Sequence, residues 1–458
     1  MLFDRLNTNK EPGLNFFKEA IGSSEHTYRQ SNVNKIHNHL LREHDVKSRE
    51  KLSYMFKNHK YIPAAIILQG IKTVINFHTS YLVGNPVTIT GTPKAVELMN
   101  KYYRKGIYSK TDWQVLTELI TYGDAFEYVY IDGVGKDRKI RSKVFRNRDS
   151  YPIYDDHFNY KYFVEHWKSN STNEEHYVIY FPTHIDKYVN NRLVSSKKNF
   201  TGLPIHYTTM DRGYYDQFGD SFVNDLIPIQ DKVEHLLSKL DDAITTLSLN
   251  PVGVITGAKM TERDMVDTNI AGAVLNLEEG NDFKYANAEM DYKCIKYELD
   301  QLYQQFNLVA AIPSSILGQN NIANVSENSM SMVYQLTENR GKQNMNALIE
   351  GFKQRWEYMR KLMILLFDPI SDEDFDSLNV AFNINKPVDT KTDMENIKMQ
   401  YEMGAISKRT VIELSPYTTD SALELQRLEA EGIPVIRKPE VTESTPKSEV
   451  DEEESTEE

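Results

Sequence analysis

Asn224-Asp225-Leu226-Ile227-Pro228-Ile229-Gln230-Asp231-Lys232-Val233 opens a run, 224–249, in which Leu226, Ile229, Val233, Leu236, Leu240, Ile244 and Leu247 recur at steps of three and four. That spacing puts them on one face of a helix. Residues 291–309 repeat the pattern with Ile295, Leu299, Leu302, Phe306 and Val309. At a rise of about 1.5 Å per residue the first helix spans roughly 35 to 40 Å. The two read as a stalk that holds the irregular, strand-like stretch between them, 250–290, away from the main body.

The sequence before the stalk mixes both periodicities. Residues 62–82 read as one helix, stopped by Gly84, Asn85 and Pro86, with a strand following at 87–90. Thr111 and Asp112 open a short helix to Tyr122, which Gly123 ends. Residues 125–131 alternate as a strand, turn at Asp132-Gly133 and return near 139–145. Further strands are expected at 151–154, 160–168, 176–181 and 203–208. Residues 1–48 are polar and mostly helical in pattern. The fold class is α+β.

With 458 residues the chain should divide into two or three compact regions. One cysteine, Cys294, excludes an intrachain disulfide, and no basic, then apolar, then small-residue leader opens the chain. Both features suggest an intracellular, reducing setting. The longest apolar stretch, 62–84, carries Gln69, Lys72, Asn76 and His78, too polar for an unassisted bilayer span, so no membrane is expected as a partner. The formal net charge is −13, and residues 441–458 supply more than half of it, with eight acids against Lys447. That tail has almost no apolar residues to offset its ordering entropy and is expected to be disordered. A chain this acidic is not built to grip DNA phosphates over a broad surface, although DNA could slide past it.

Enzymatic signatures fail on inspection. Gly133-Val134-Gly135-Lys136 lacks the upstream glycine of a Walker loop and has Asp137 where Ser or Thr should stand. His37 and His39 point to different faces of a helix, so with His44 they are not a metal pair as spaced. Cys294 has no CxxC partner, and no Gly-x-Ser-x-Gly elbow or His-Glu-x-x-His helix is present. Lys136, Arg138, Lys139, Arg141, Lys143, Arg146 and Arg148 read as the solvated face of a hairpin rather than a DNA site. The acids of 368–376 lack the EF-hand spacing. No catalytic residue, cofactor or metal is expected.

Tyr81-Leu82-Val83-Gly84-Asn85-Pro86-Val87-Thr88-Ile89 resembles the helix-to-strand signature of tailed-bacteriophage portal proteins of the SPP1-like family. Gly123-Asp124-Ala125-Phe126-Glu127-Tyr128-Val129-Tyr130-Ile131-Asp132 resembles the helix-to-hairpin segment that follows it. Tyr151-Pro152-Ile153-Tyr154-Asp155, Gly202-Leu203-Pro204-Ile205, Ala311-Ile312-Pro313, Asn385-Lys386-Pro387-Val388-Asp389, Gly404-Ala405-Ile406-Ser407-Lys408-Arg409-Thr410 and Leu423-Glu424-Leu425-Gln426-Arg427 are similar in kind and order. The resemblance thus runs from near Lys60 to near Ala430. One departure is Ser326, followed by Glu327 where the family often has Ser-Gly.

The resemblance implies one subunit of a ring, a dodecamer in that family, at a single capsid vertex of the virion. Double-stranded DNA would be packaged, retained and ejected through it, with no catalysis by the ring itself. It further implies contacts with terminase, a head-tail adaptor, the major capsid protein and scaffolding protein, and assembly in the host cytoplasm. The parts would be an α+β wing at 1–223 with a return strand in 377–388, stem helices at 224–249 and 291–311, and a small α/β clip at 250–290. A tunnel loop at 312–328, a long kinked helix and wing return at 329–376, a helical crown at 389–436 and an acidic tail at 437–458 would complete it. Stem packing falls to Leu236, Leu240, Ile244, Ile295, Leu299, Leu302 and Phe306. The competing reading is a phage or mobile-element enzyme acting on nucleic acid.

In the expected tunnel loop, Pro313 breaks the preceding helix and Gly318 frees the backbone. Gln319, Asn320, Asn321 and Asn324 offer amides that meet phosphates and sugars without fixed charge, and Ile322 adds nonpolar contact. Asn324 with Glu327 three residues on forms a capping box for the long helix. Met345, Leu348, Phe352, Trp356, Met359, Met363 and Leu366 then keep helical spacing to Asp368-Pro369, with Gly341 a kink site. DNA that moves both ways needs a lumen without dense Lys and Arg contacts, and Asp241, Asp242, Glu298 and Asp300 are candidates to face it or the neighbouring subunit.

Overall fold

A computed structural model describes residues 11–56, 59–245, 252–256, 282–286, 292–313, 327–384, 390–415, 417–418 and 421–432. The chain divides into two compact units, Met1–Asn385 and Lys386–Glu458.

In the first unit, α1 (Leu14–Ile21) and α2 (Ser24–Leu40) lead through β1 (Tyr54–Phe56) and β2 (His59–Tyr61) to α3 (Gly70–Val83) and β3 (Thr88–Thr90). α4 (Pro93–Gly106) and α5 (Tyr108–Tyr122) follow, then β4 (Asp124–Asp132), β5 (Lys139–Val144), β6 (Ser150–Tyr154) and β7 (Tyr160–Lys168). The strand series continues with β8 (Glu175–Tyr180), β9 (His184–Val189), β10 (Arg192–Lys198) and β11 (Ile205–Thr208), and ends at α6 (Val223–Ala243). β12 (Val252–Thr256), β13 (Asp282–Ala286), α7 (Tyr292–Ala310), α8 (Glu327–Leu365), α9 (Asp372–Asp376) and β14 (Asn379–Ala381) complete the unit. The second holds α10 (Thr390–Glu402), α11 (Lys408–Leu414) and α12 (Ser421–Ala430).

β4 is the middle strand of the antiparallel sheet β11-β4-β5, and β6 to β10 form a five-stranded antiparallel meander. Between these two sheets Phe126, Phe145, Phe163 and Tyr180 make a small aromatic core. On the meander, α1 buries Phe16, Phe17 and Ala20 against Ile153, Val164, Ile179 and Phe181. The largest core joins α3, α5, α8 and β4 through residues such as Val74, Leu82, Leu119, Val129, Leu348, Phe352 and Met359. β14 pairs antiparallel with β3, matching Val380 to Ile89, so the chain after α8 returns to the strand after α3.

Local chemistry explains several boundaries. Pro93 sits at the start of α4, where its missing N–H costs nothing. Gly123 ends α5 at φ 85, a conformation that favours glycine. Gly341 lies within the uninterrupted α8, and the absence of a Cβ leaves room for the Tyr81 ring.

Three expectations change. The helix expected over 62–82 starts only at Gly70, because the backbone of 64–68 bonds to side chains of α6 instead. The helix expected to open at Thr111 and Asp112 begins at Tyr108, and both residues are buried inside it rather than capping it. The first stalk helix, expected over 224–249, is α-helical to Ala243, and 246–249 fall outside the described residues. α4, β9 and β10 had no counterpart in the sequence reading.

Candidate functional site

The expected function turns on α6, α7 and the root of the segment that follows α7. Gln230, Glu234, Ser238 and Asp242 stand four apart on α6 and so form one row along it. The Ala64 N–H donates to Asp242 Oδ1 at 2.8 Å, Ile66 to Ser238 Oγ at 2.9 Å, Leu68 to Glu234 Oε1 at 2.9 Å and Ile71 to Gln230 Oε1 at 3.0 Å. Gln230 Nε2 returns a bond to the Leu68 carbonyl at 2.8 Å. Four helical residues rise about 6.0 Å and two extended ones about 6.6 Å, a near match that lets one helix row serve one backbone edge. Gln230, Glu234 and Ser238 are buried, so the row carries its own polar atoms without water. Two flanking groups join it: His44 Nδ1 meets Glu234 at 2.8 Å and Arg49 donates to Asp242 Oδ2 at 2.5 Å.

α7 ends on fixed supports. Helix C-termini leave carbonyls without intrahelical partners. Here the Ala310 carbonyl accepts from His78 Nε2 of α3 at 2.7 Å, and the Ala311 carbonyl accepts from the Thr337 hydroxyl of α8 at 2.7 Å. Burial lowers His78 to about 4, which keeps the ring neutral and free to donate. Ala311 adopts φ 50 and the Ile312 N–H closes on the Asn307 carbonyl at 3.1 Å, a left-handed helix stop. Phe306, Ala310, Ala311 and Ile312 are buried at this root.

α6 packs against α7. Of the residues expected to pack there, Phe306 is buried, Leu236, Leu240, Ile295, Leu299 and Leu302 are half-buried, and Ile244 is exposed. Lys232 and Glu298 approach to 3.9 Å across the pair. Asp241, Glu298 and Asp300 are exposed, whereas Asp242 is held by Arg49 and the Ala64 N–H. Asp242 is thus already engaged within the chain. The expected tunnel-loop residues Gly318, Gln319, Asn320, Asn321, Ile322 and Asn324 lie outside the described residues, as does the acidic tail. Of the expected clip, the described part is the antiparallel pair β12 and β13, registered Val252 to Ala286.

The remaining charged clusters are largely structural. Arg355 of α8 is fully buried, donating through Nη2 and Nε to Glu127 Oε2 of β4 at 2.8 and 3.0 Å and through Nη1 to Asp112 of α5. Burial outweighs the guanidinium and pushes Asp112 up to about 6. On the hairpin, Lys143 pairs with Glu165 at 2.6 Å and Arg141 with Asp132 at 3.3 Å, while Arg148 donates to the neutral Asn34 side chain at 3.1 Å, so two of the seven basic side chains are paired with acids within the chain. In the acidic run, Asp368 takes Lys101 and the Tyr102 hydroxyl, each at 2.8 Å, and Asp374 takes the Thr92 hydroxyl at 2.8 Å. His44 stacks its ring on His39 at 3.7 Å, because the chain turns back after α2, an approach that helical spacing alone did not reveal. No helix among the described residues is long and apolar enough to cross a membrane.

Comparison with solved structures finds a chain in the neck of an empty GTA particle computed with C6 symmetry. The TM-score is 0.46 at 11% identity, over 80% of this chain and 90% of that one. A chain in the neck of a native GTA particle computed with C12 symmetry gives TM-score 0.46 at 11% identity, over 75% and 89%. A chain in the virion of a native gene transfer agent particle gives 0.43 at 11% identity, over 80% and 90%. Comparison with curated proteins finds no match. The family described as phage portal protein, SPP1 Gp6-like, matches residues 22–436, which takes in α2, the sheets, the α6–α7 pair, α8 and the three helices of the second unit, and the chain belongs to that family.

Proposed function

We propose that this chain is the subunit of the portal ring at one capsid vertex and forms the channel through which double-stranded DNA is packaged, held and ejected. The observation that carries the reading is the family match across residues 22–436. Closed rings arise from heterologous contacts, in which one surface meets a different one on the neighbour. The half-buried and exposed apolar positions of α6 and α7, among them Leu236, Leu240, Ile244, Ile295 and Leu299, supply apolar area for such contacts. In this reading α6 and α7 are the stem, 250–290 the clip that terminase and then the head-tail adaptor occupy in turn, and 312–328 the tunnel loop. The loop's role is supported by its root: a segment that moves against DNA needs fixed ends, and α7 is fixed at Ala310 and Ala311 by His78 and Thr337. Major capsid and scaffolding proteins would surround the ring during assembly in the host cytoplasm.

Negative-stain images of the purified protein test this. Rings with a central hole are the expected outcome. A small, discrete particle that cleaves or joins DNA with a divalent metal would establish the nucleic-acid enzyme instead.

A further inference from the structure

We propose that His39, His44 and Asp231 form a zinc site that fastens the end of α2 to α6. One ligand atom from each of the three lies within 4.8 Å of the others. His39 Nε2 and Asp231 Oδ1 are buried atoms without a hydrogen-bond partner, and they stand 3.7 Å apart. That is too long for a hydrogen bond. It is close to the roughly 3.3 Å that separates two ligand atoms on a tetrahedral zinc ion with bonds of about 2.0 Å. His39 is 5% exposed, so its ring nitrogen is shut off from bulk solvent.

His44 brings an independent indication. Metal-binding imidazoles are commonly oriented by a carboxylate on the ring nitrogen away from the ion. His44 Nδ1 lies 2.8 Å from Glu234 Oε1, and Glu234 is itself fully buried and held by the Leu68 N–H and Gln230. Nε2 is left as the ligand atom. It lies 2.8 Å from the His39 carbonyl, so zinc binding exchanges that hydrogen bond for a metal bond and releases the Nε2 proton. The carbonyl is not orphaned, because the Arg42 N–H also reaches it at 2.9 Å.

Donor chemistry selects the ion. Two imidazoles and one carboxylate suit zinc, whereas calcium and magnesium require shells of oxygens. The Asp231 side chain is 25% exposed, which gives the ion a way in and a water the fourth position. Binding brings ligand atoms that now stand up to 4.8 Å apart to about 3.3 Å, and it requires the stacked His39 and His44 rings, 3.7 Å apart, to part so that both nitrogens face one ion.

The test uses the full-length protein, stripped with a chelator and titrated with zinc chloride by calorimetry, with thermal unfolding in parallel. One zinc per subunit and a raised midpoint are expected. Asp231→Asn, isosteric and partly exposed, and His39→Ala should bind at least tenfold more weakly, while His37→Ala, outside the cluster, retains the ion. Equal zinc binding by the unaltered protein and Asp231→Asn, or no stoichiometric binding at micromolar zinc, overturns the site. The readout needs no ring, so it is independent of the portal assignment.

Discussion

Arg355 on α8 and Glu127 on β4 face each other at 2.8 Å, and neither side chain has any exposure to solvent. The pair joins residues 228 positions apart, and Asp112 completes it from α5. Removing one partner of a buried pair leaves the others uncompensated, which costs about 3 to 5 kcal/mol. Arg355→Met should therefore lose about that much in urea unfolding. A loss below about 1 kcal/mol would show that the two acids find other partners or protons.

Gly351 faces the Tyr207 ring so closely that a Cβ there would overlap it. Tyr207 cannot swing aside, because its hydroxyl donates to Glu127 at 2.6 Å. Gly351→Ala is expected to cost about 1 to 3 kcal/mol or more through overpacking. Adding Tyr207→Ala should recover part of that loss, a non-additivity that a double-mutant cycle measures. Strict additivity would mean that the overlap is relieved elsewhere.

Two buried histidines make folding sensitive to acid. Burial lowers His78 to about 4 and His26 to about 3, against 6.5 for a free imidazole. The unfolded chain then binds more protons than the folded one below pH 6.5, so this stability is full above 6.5 and is lost as pH falls toward the folded values. For His78 the loss between pH 7 and pH 5 is roughly 2 kcal/mol. Asp112 tilts the other way below pH 6, its raised value favouring the folded state in acid. The difference between wild type and His78→Gln isolates the histidine. Identical pH slopes for the two would remove His78 from the account.

For the loop, shortening 318–324 to a two-residue Gly-Ser link should leave rings intact by electron microscopy and reduce the DNA packaged or retained per capsid. That expectation rests on the root, where the Ala310 and Ala311 carbonyls are held by His78 and Thr337 outside the shortened segment. Normal packaging and retention would make the segment an ordinary linker.

Much of the body was legible because each element obeys its own local rule. β4, β6 and β7 are short runs rich in Tyr, Phe, Val and Ile, and Gly123 marks the end of α5. β10 escaped because it is exposed along nearly its whole length and has no apolar alternation to read. Asn190 and Asn191, at φ 46 and 68, were the available sign of the β9–β10 turn. The run Ile66-Ile67-Leu68 looks helical on its own, but a competitor 166 to 172 residues away takes its N–H groups. Arg355 has the same difficulty, since on a helix it reads as one more surface charge. His39 and His44 belong together only once the chain has turned, and Asp231 comes from another helix.

The row on α6 also acts as a vernier. Its four side chains all present oxygen acceptors to the facing N–H groups, so sliding the helix by one turn would match three acceptors to three donors again. Hydrogen bonding alone hardly distinguishes neighbouring settings. The distinction comes from partners that cannot be exchanged: His44 fits the carboxylate of Glu234, and Arg49 that of Asp242, while Ser238 between them offers only a hydroxyl. A slide by one turn would set a cation against that hydroxyl. The repeated spacing gives α6 its track, and two unlike partners, an imidazole and a guanidinium, stop it at one notch.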